Sequence, residues 1–155
     1  MRLTDILSLA CIKTPLDAKD KKAAITELVD LVNAAGKLKD RDLMLQATME
    51  REATRTTGIG NALAIPHGKC AAVTELIMAV GKPAAPLDFE SIDGKPVNIV
   101  IFLASPPDRT GPHIQALARI SRLMTDQRFR HALDAASTAQ AVYDVFASFE
   151  GSEFH

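Results

Sequence analysis

The stretch V-N-I-V-I-F-L-A at 97–104 constrains this chain more than any other segment. It is apolar almost throughout, so it reads as a strand with no polar face to turn toward water. A strand of that kind must be covered on both sides. The flanking segments supply the cover. Ala24, Ile25, Leu28, Val29, Leu31 and Val32 recur at helical spacing. That predicts a helix capped by Asp17 or Asp20 and running to about Ala35, with Gly36 as its stop. Asp40 caps a second predicted helix over 41–52, with Leu43, Met44, Ala47 and Thr48 on its inner side. Thr110-Gly111-Pro112 opens a third, since proline suits a first helical turn, and its predicted apolar face is Ile114, Leu117, Ala118, Ser121 and Met124. Further helices are expected near 127–133 and 138–149, and further strands near 11–14, 62–66 and 76–80. Helices and strands alternating around a doubly buried strand predict an α/β fold, a mixed β-sheet flanked by helices on both faces.

No repeat, low-complexity tract or linker divides this pattern, so the chain reads as one domain over 1–150. The closing G-S-E-F-H at 151–155 reads as a cloning scar and is set aside. A chain of 155 residues can bury a core without metal or disulfide staples. Cys11 and Cys70 form no Cys-x-x-Cys pair and read as reduced and structural. Lys plus Arg number 18 against 19 Asp plus Glu, leaving a net charge of -1. Such a balance gives no footprint for nucleic acid or an anionic membrane, so any anion recognition must be local. No apolar run approaches the ~20 residues of a membrane-spanning helix, and the N-terminus lacks the apolar stretch of a signal peptide. The reading is therefore a cytoplasmic protein with no direct membrane insertion. No His-x-x-x-His or Cys/His cluster suggests a zinc site, and G-x-S-x-G is absent. Gly58-x-Gly60 lacks both the third glycine of a dinucleotide fingerprint and the lysine of a P-loop. No metal and no cofactor is expected.

Two of the histidines stand out by context. His67 follows A-L-A-I-P, which puts it at the end of an expected buried strand with a turn at Gly68. Carboxyl ends of strands are where open α/β sheets bind ligands. His113 falls in the first turn of the third predicted helix, where unpaired N–H groups and the helix dipole favour an anion and disfavour an imidazolium. His131 and His155 read as bystanders.

The segment at 52–68 reads E-A-T-R-T-T-G-I-G-N-A-L-A-I-P-H-G. It resembles the phosphorylation-site pattern of the fructose/mannitol-type enzyme IIA proteins of the bacterial sugar phosphotransferase system. That pattern has an acidic or amide residue at Glu52, an aliphatic residue and glycine at Ile59 and Gly60, and an aliphatic-Ala-aliphatic-Pro-His-small run at 63–68. The stretches M-R-L-T-D-I-L, L-D-F-E-S-I-D-G-K-P-V-N-I-V-I-F-L-A and H-I-Q-A-L-A-R-I-S-R-L-M resemble the same family, and the likeness covers 1–149. It implies that His67 is the phosphorylated histidine, His113 a second active-site histidine and Arg51 the active-site arginine. It also implies an HPr-type phosphocarrier as donor, and an enzyme IIB or regulatory target proteins as acceptor or partner. The segment T-G-I-G-N-A-L-A-I-P-H-G-K resembles the nitrogen-type version, and the chain carries no fused transporter or HPr domain. The expectation is a regulator acting through phosphorylation-dependent protein binding. The alternative is a sugar-specific enzyme IIA that passes phosphate to an enzyme IIB during uptake.

Elementary chemistry points the same way. To form a P–N bond the imidazole must attack as a neutral base with one nitrogen free. Its other nitrogen must be held by an acceptor such as a backbone carbonyl. Charge on the phosphoryl oxygens calls for donors, and Arg51 offers a planar fork. The turn holding Thr56, Thr57, Gly58, Gly60 and Asn61 is expected to add hydroxyl and backbone N–H donors. Ile59, Leu63, Ile65 and Pro66 are expected to make an apolar surface around His67.

Overall fold

The computed structural model describes residues 1–153. A single 3-10 turn, Leu3–Asp5, leads into β1 (Leu7–Leu16), α1 (Lys21–Ala34) and α2 (Arg41–Thr54). Then come β2 (Gly58–Gly60), β3 (Leu63–Ala64), β4 (His67–Lys69), β5 (Ile77–Pro83) and β6 (Ile99–Ser105). The chain closes with α3 (Thr110–Met124), α4 (Gln127–Ala135) and α5 (Ala139–Glu153). Short acidic caps start three of the helices. Asp20 accepts from Ala23 N, Asp40 from Leu43 N, and Asp126 from Arg128 N, each relieving a helix-end donor. Of the two candidates before α1, Asp20 is the cap, and Asp17 instead takes Lys13 Nζ at 3.0 Å. Gly36 ends α1 with φ of 75°, a conformation glycine adopts without strain. α5 runs to Glu153, three residues into the segment read as a scar, and the last two residues of that segment, His155 among them, lie outside the described residues.

The sheet runs β1-β5-β6-β3-β2, with β4 also pairing β6. β5 is parallel to β1 and antiparallel to β6, while β3 and β4 both run parallel to β6. The strand expected at 62–66 shrinks to β3 at 63–64, and a second short piece, β4, follows it at 67–69. Pro66 separates them because it has no N–H for the ladder, although its carbonyl still accepts from Leu103 N at 3.1 Å.

Strand alternation divides β6 between two cores. Ile99, Ile101 and Leu103 pack with residues of α3, α4 and α5, whereas Val100, Phe102 and Ala104 pack with α1 and α2. β5 divides in the same way, Met78 and Val80 against Ile77 and Ala79. Each large buried side chain contributes about 1.5–3 kcal/mol, so the unbroken apolar run is what glues both helical layers to one sheet.

The α3 face differs from expectation. Ile114 is 58% exposed, and Ala118 and Ser121 are also exposed. Met124 is buried as expected and Leu117 packs half-buried on the core, but the rest of the buried stripe is His113, Ala116, Ile120 and Leu123. The helix is turned by about one residue from the expected face, which brings His113 into the buried stripe. Among the described residues, no helix is long and apolar enough to cross a membrane.

Candidate functional site

The register of β4 against β6 aims the site. His67 lies beside Leu103, Gly68 beside Ala104 and Lys69 beside Ser105. Leu103 faces the α3 layer, so His67 does too; Ala104 faces the α1–α2 layer, and Gly68 shares that side. A Cβ on Gly68 would sit 2.4 Å from Thr48 Oγ1 and 2.7 Å from Met44 Sδ. Gly68 is thus a point of close approach between α2 and a strand backbone, not a turn. His67 accordingly begins a strand rather than ending one.

The half-buried His67 ring donates from Nδ1 to the Ile65 carbonyl at 3.0 Å, which leaves the Nε2 lone pair uncommitted. The His113 ring stands with its centroid 5.0 Å away, inclined at 66°. His113 Nδ1 is buried and bonds none of the described residues. The backbone N–H of His113 bonds Arg109 O at 3.0 Å, so at this position the side chain, not the backbone, faces the site. Arg51 lies in the last turn of α2 and donates from Nη1 to Arg55 O at 2.9 Å.

Both imidazoles are biased toward the neutral form. Burial pushes His67 below the ordinary histidine range, and the Arg51 charge adds to it, while the Ile65 carbonyl and Glu52 pull the other way. His113 is pushed down to about 4, first by burial, then by His67, Lys69 and Arg51.

The structure brings His67, His113 and Arg51 together, but the turn before them is built differently from the sequence expectation. Thr57 spends its N–H and its hydroxyl on Glu52, at 2.7 and 2.5 Å. Gly58 N–H goes to Thr56 Oγ1 at 3.1 Å, and Gly58 O accepts from Ile92 N at 2.9 Å. A Cβ at Gly58 would come within 3.0 Å of Ser91 Cα, which explains that glycine by packing. Gly60 pairs with Leu63, itself beside Ile99, and Asn61 lines a cleft of about 340 Å³ with Ile99, Arg130 and His131. Ile99 is at the opposite end of β6 from Leu103, the neighbour of His67. The turn therefore holds its own shape and does not aim these donors at the imidazole. Nor is the surround as apolar as expected. Leu63, Ile65 and Pro66 are buried, and only Ile59 of that group is exposed.

Two residues escaped the sequence reading. Glu52 is 5% exposed; besides Thr57 it takes Lys21 Nζ at 2.9 Å, anchoring the turn to both helices. Its place as the first position of the phosphorylation-site pattern was the available signal. Lys69 follows His67 by two on one strand face, and its Nζ donates to Thr110 Oγ1 at 2.5 Å. Among the described residues, no group of three or more His, Cys, Asp or Glu could hold a metal ion.

A family model described as "Phosphoenolpyruvate-dependent sugar phosphotransferase system, EIIA 2" matches residues 5–149. The chain is 35% identical over 147 residues to the nitrogen regulatory protein of Bradyrhizobium diazoefficiens, covering 95% of each chain. It is also 35% identical over 145 residues to the fructose-specific EIIABC component of Bacillus subtilis, covering 94% of this chain but only 23% of that protein. Among solved structures, nitrogen regulatory protein IIA-Ntr from Neisseria meningitidis superposes with a TM-score of 0.82 at 27% identity, covering 93% of this chain and 98% of that one.

Proposed function

The chain belongs to the EIIA 2 family of the phosphoenolpyruvate-dependent sugar phosphotransferase system, and on that premise we propose that it is a phosphocarrier charged on Nε2 of His67. One observation carries the reading: Ile65 O holds Nδ1–H, leaving the nucleophilic Nε2 uncommitted on a ring that lies beside His113. The donor is an HPr-type phosphocarrier. The Nε2 lone pair forms a bond to phosphorus as the donor's P–N bond breaks, and that electron pair returns to the donor imidazole. His67 keeps its Nδ1 proton throughout, and the Ile65 carbonyl stabilises the more acidic N–H that results. Arg51 offers its fork to the equatorial oxygens, and His113 positions them with a neutral ring. The protein's contribution is positioning and charge stabilisation.

Labelling tests this reading. Incubation with phosphoenolpyruvate, enzyme I and an HPr-type carrier is expected to add a single acid-labile phosphoryl group, absent in His67→Ala. Label that persists in His67→Ala overturns the assignment.

Downstream, the protein is a nitrogen-type regulator whose binding to target proteins depends on the state of His67. The T-G-I-G-N-A-L-A-I-P-H-G-K segment and the likeness to two nitrogen regulatory proteins support this. The similarity to a fructose-specific component favours a second reading, delivery of phosphate to an enzyme IIB. Calorimetric titration of candidate partners with both forms separates the two. Regulation predicts a coupling of about 1–3 kcal/mol between phosphorylation and target binding. Fast transfer to an enzyme IIB, with no other partner distinguishing the forms, selects uptake.

A further inference from the structure

Side chains two apart on a strand share a face, about 6.6 Å from one Cα to the next but one. Lys69 therefore stands on the same side of β4 as His67, and its neighbour on β6 is Ser105 as that of His67 is Leu103. Its Nζ reaches Thr110 Oγ1, on the first residue of α3 and one turn before His113. The ammonium is thus suspended between the strand that carries His67 and the helix that carries His113. It is exposed, and among the described residues no carboxylate pairs with it, whereas Lys13, Lys21 and Arg41 all have acidic partners.

Charge around the imidazoles is unbalanced. Glu52 is offset by Lys21. Among the described residues, Arg51 bonds only a backbone carbonyl, and Lys69 only a hydroxyl. The two rings are therefore flanked by two cations that no carboxylate pairs among the described residues, one from α2 and one from β4. A phosphoryl group brings about -1.5 to -2 charges near neutral pH, which matches that pair. A lysine suits the second position, because a compact ammonium keeps further donors while one is spent on Thr110.

The geometry points to Lys69 as a further catalytic residue: its ammonium, steadied by Thr110, donates to the oxygens of the phosphoryl group carried on His67. The inference rests on His67 being the acceptor. No bond to nitrogen or phosphorus is made or broken by Lys69, and no proton leaves it.

Labelling rates of wild type, Lys69→Gln and Lys69→Arg decide it, with two donors used in parallel. One donor is a phosphorylated HPr-type carrier; the other is phosphoramidate, which needs no docking surface. Lys69→Gln is expected to slow labelling about 10- to 100-fold with both donors, the scale of a hydrogen bond to a charged group. Lys69→Arg, which keeps the charge, is expected to recover most of the loss. Melting should be unchanged, since the side chain is exposed. Slowing with the protein donor alone would make Lys69 a docking residue and overturn the proposal, as would wild-type rates in Lys69→Gln. No label on His67 in the wild type overturns the phosphocarrier reading itself, and the Lys69 role with it.

Discussion

His113 has the larger consequence of the two imidazoles for stability, because its affinity for protons changes most between the folded and unfolded chain. Unfolded, it titrates near the usual 6.5; folded, it is held down to about 4, chiefly by burial. Between those values the unfolded chain binds a proton that the folded protein refuses. Stability is therefore fully present above about pH 6.5 and falls as the pH drops toward 4. The same direction at His67 adds to the effect. The His113 contribution is about 2–3 kcal/mol at full extent. Urea midpoints measured from pH 7.5 to 4.5 are expected to decline in the wild type and to decline less in His113→Gln. A slope equally steep in that variant would place the acid sensitivity on other groups. Such a neutral pair is also what the chemistry needs, since a protonated Nε2 has no lone pair to give phosphorus.

The contact between α2 and β4 shows how an element can place a residue. Gly68 lets Thr48 and Met44 lie against the strand backbone, and both of those side chains are fully buried. Thr48 Oγ1 is itself tied to Met44 O at 2.7 Å, so it has little room to yield. Gly68→Ala is expected to push α2 outward and cost about 1–3 kcal/mol, as overpacking does. Arg51 sits one turn beyond Thr48 and should move with it, so phosphoryl transfer is expected to slow as well. Chemical denaturation and labelling rate check the two halves; a stable variant with normal transfer would show that the contact is dispensable. Much at this scale was legible in the sequence. The caps Asp20 and Asp40 and the two-faced strand β6 follow from local chemistry, which acts over a few residues. What failed turned on which partner each residue meets. The rotation of α3 follows Ala116, Ile120, Leu123 and Met124, with His113 in the same stripe facing His67. His67 and His113 stand out by their sequence context, while Arg51 and the roles of all three come through the resemblance. Lys69 becomes readable only once β4 is known to be a strand, because its link to His67 is a period of two. Thr57 and Gly58 look like open donors because spacing alone does not show that Glu52 takes the Thr57 N–H and hydroxyl, or that Thr56 Oγ1 takes the Gly58 N–H.

At the scale of the molecule, one buried carboxylate closes the chain on itself. Glu150, near the end of α5, is fully buried and accepts from Leu3 N at 2.6 Å and Thr4 N at 3.1 Å. Arg119 Nη1 of α3 stands 4.0 Å from its Oε2. The carboxylate therefore caps the first 3-10 turn, and that turn leads directly into β1 at one edge of the sheet. The site lies on the far side of β6, on β4, so β5 and β6 separate the two features. Glu150→Gln keeps the shape and one oxygen acceptor, but it must turn an amide N–H toward a backbone N–H. A buried donor left without an acceptor costs about 1–3 kcal/mol. The variant is expected to lose about 1–3 kcal/mol of stability at pH 7, seen as a lower urea midpoint. Its folded fraction should be labelled on His67 at the wild-type rate, because no group that faces the imidazoles moves. Unfolding measured alongside labelling checks both expectations. A loss of transfer as large as that in Lys69→Gln would mean that β1 and the site are mechanically linked through β5 and β6. Unchanged stability would mean that α5 and β1 hold the first turn without the carboxylate.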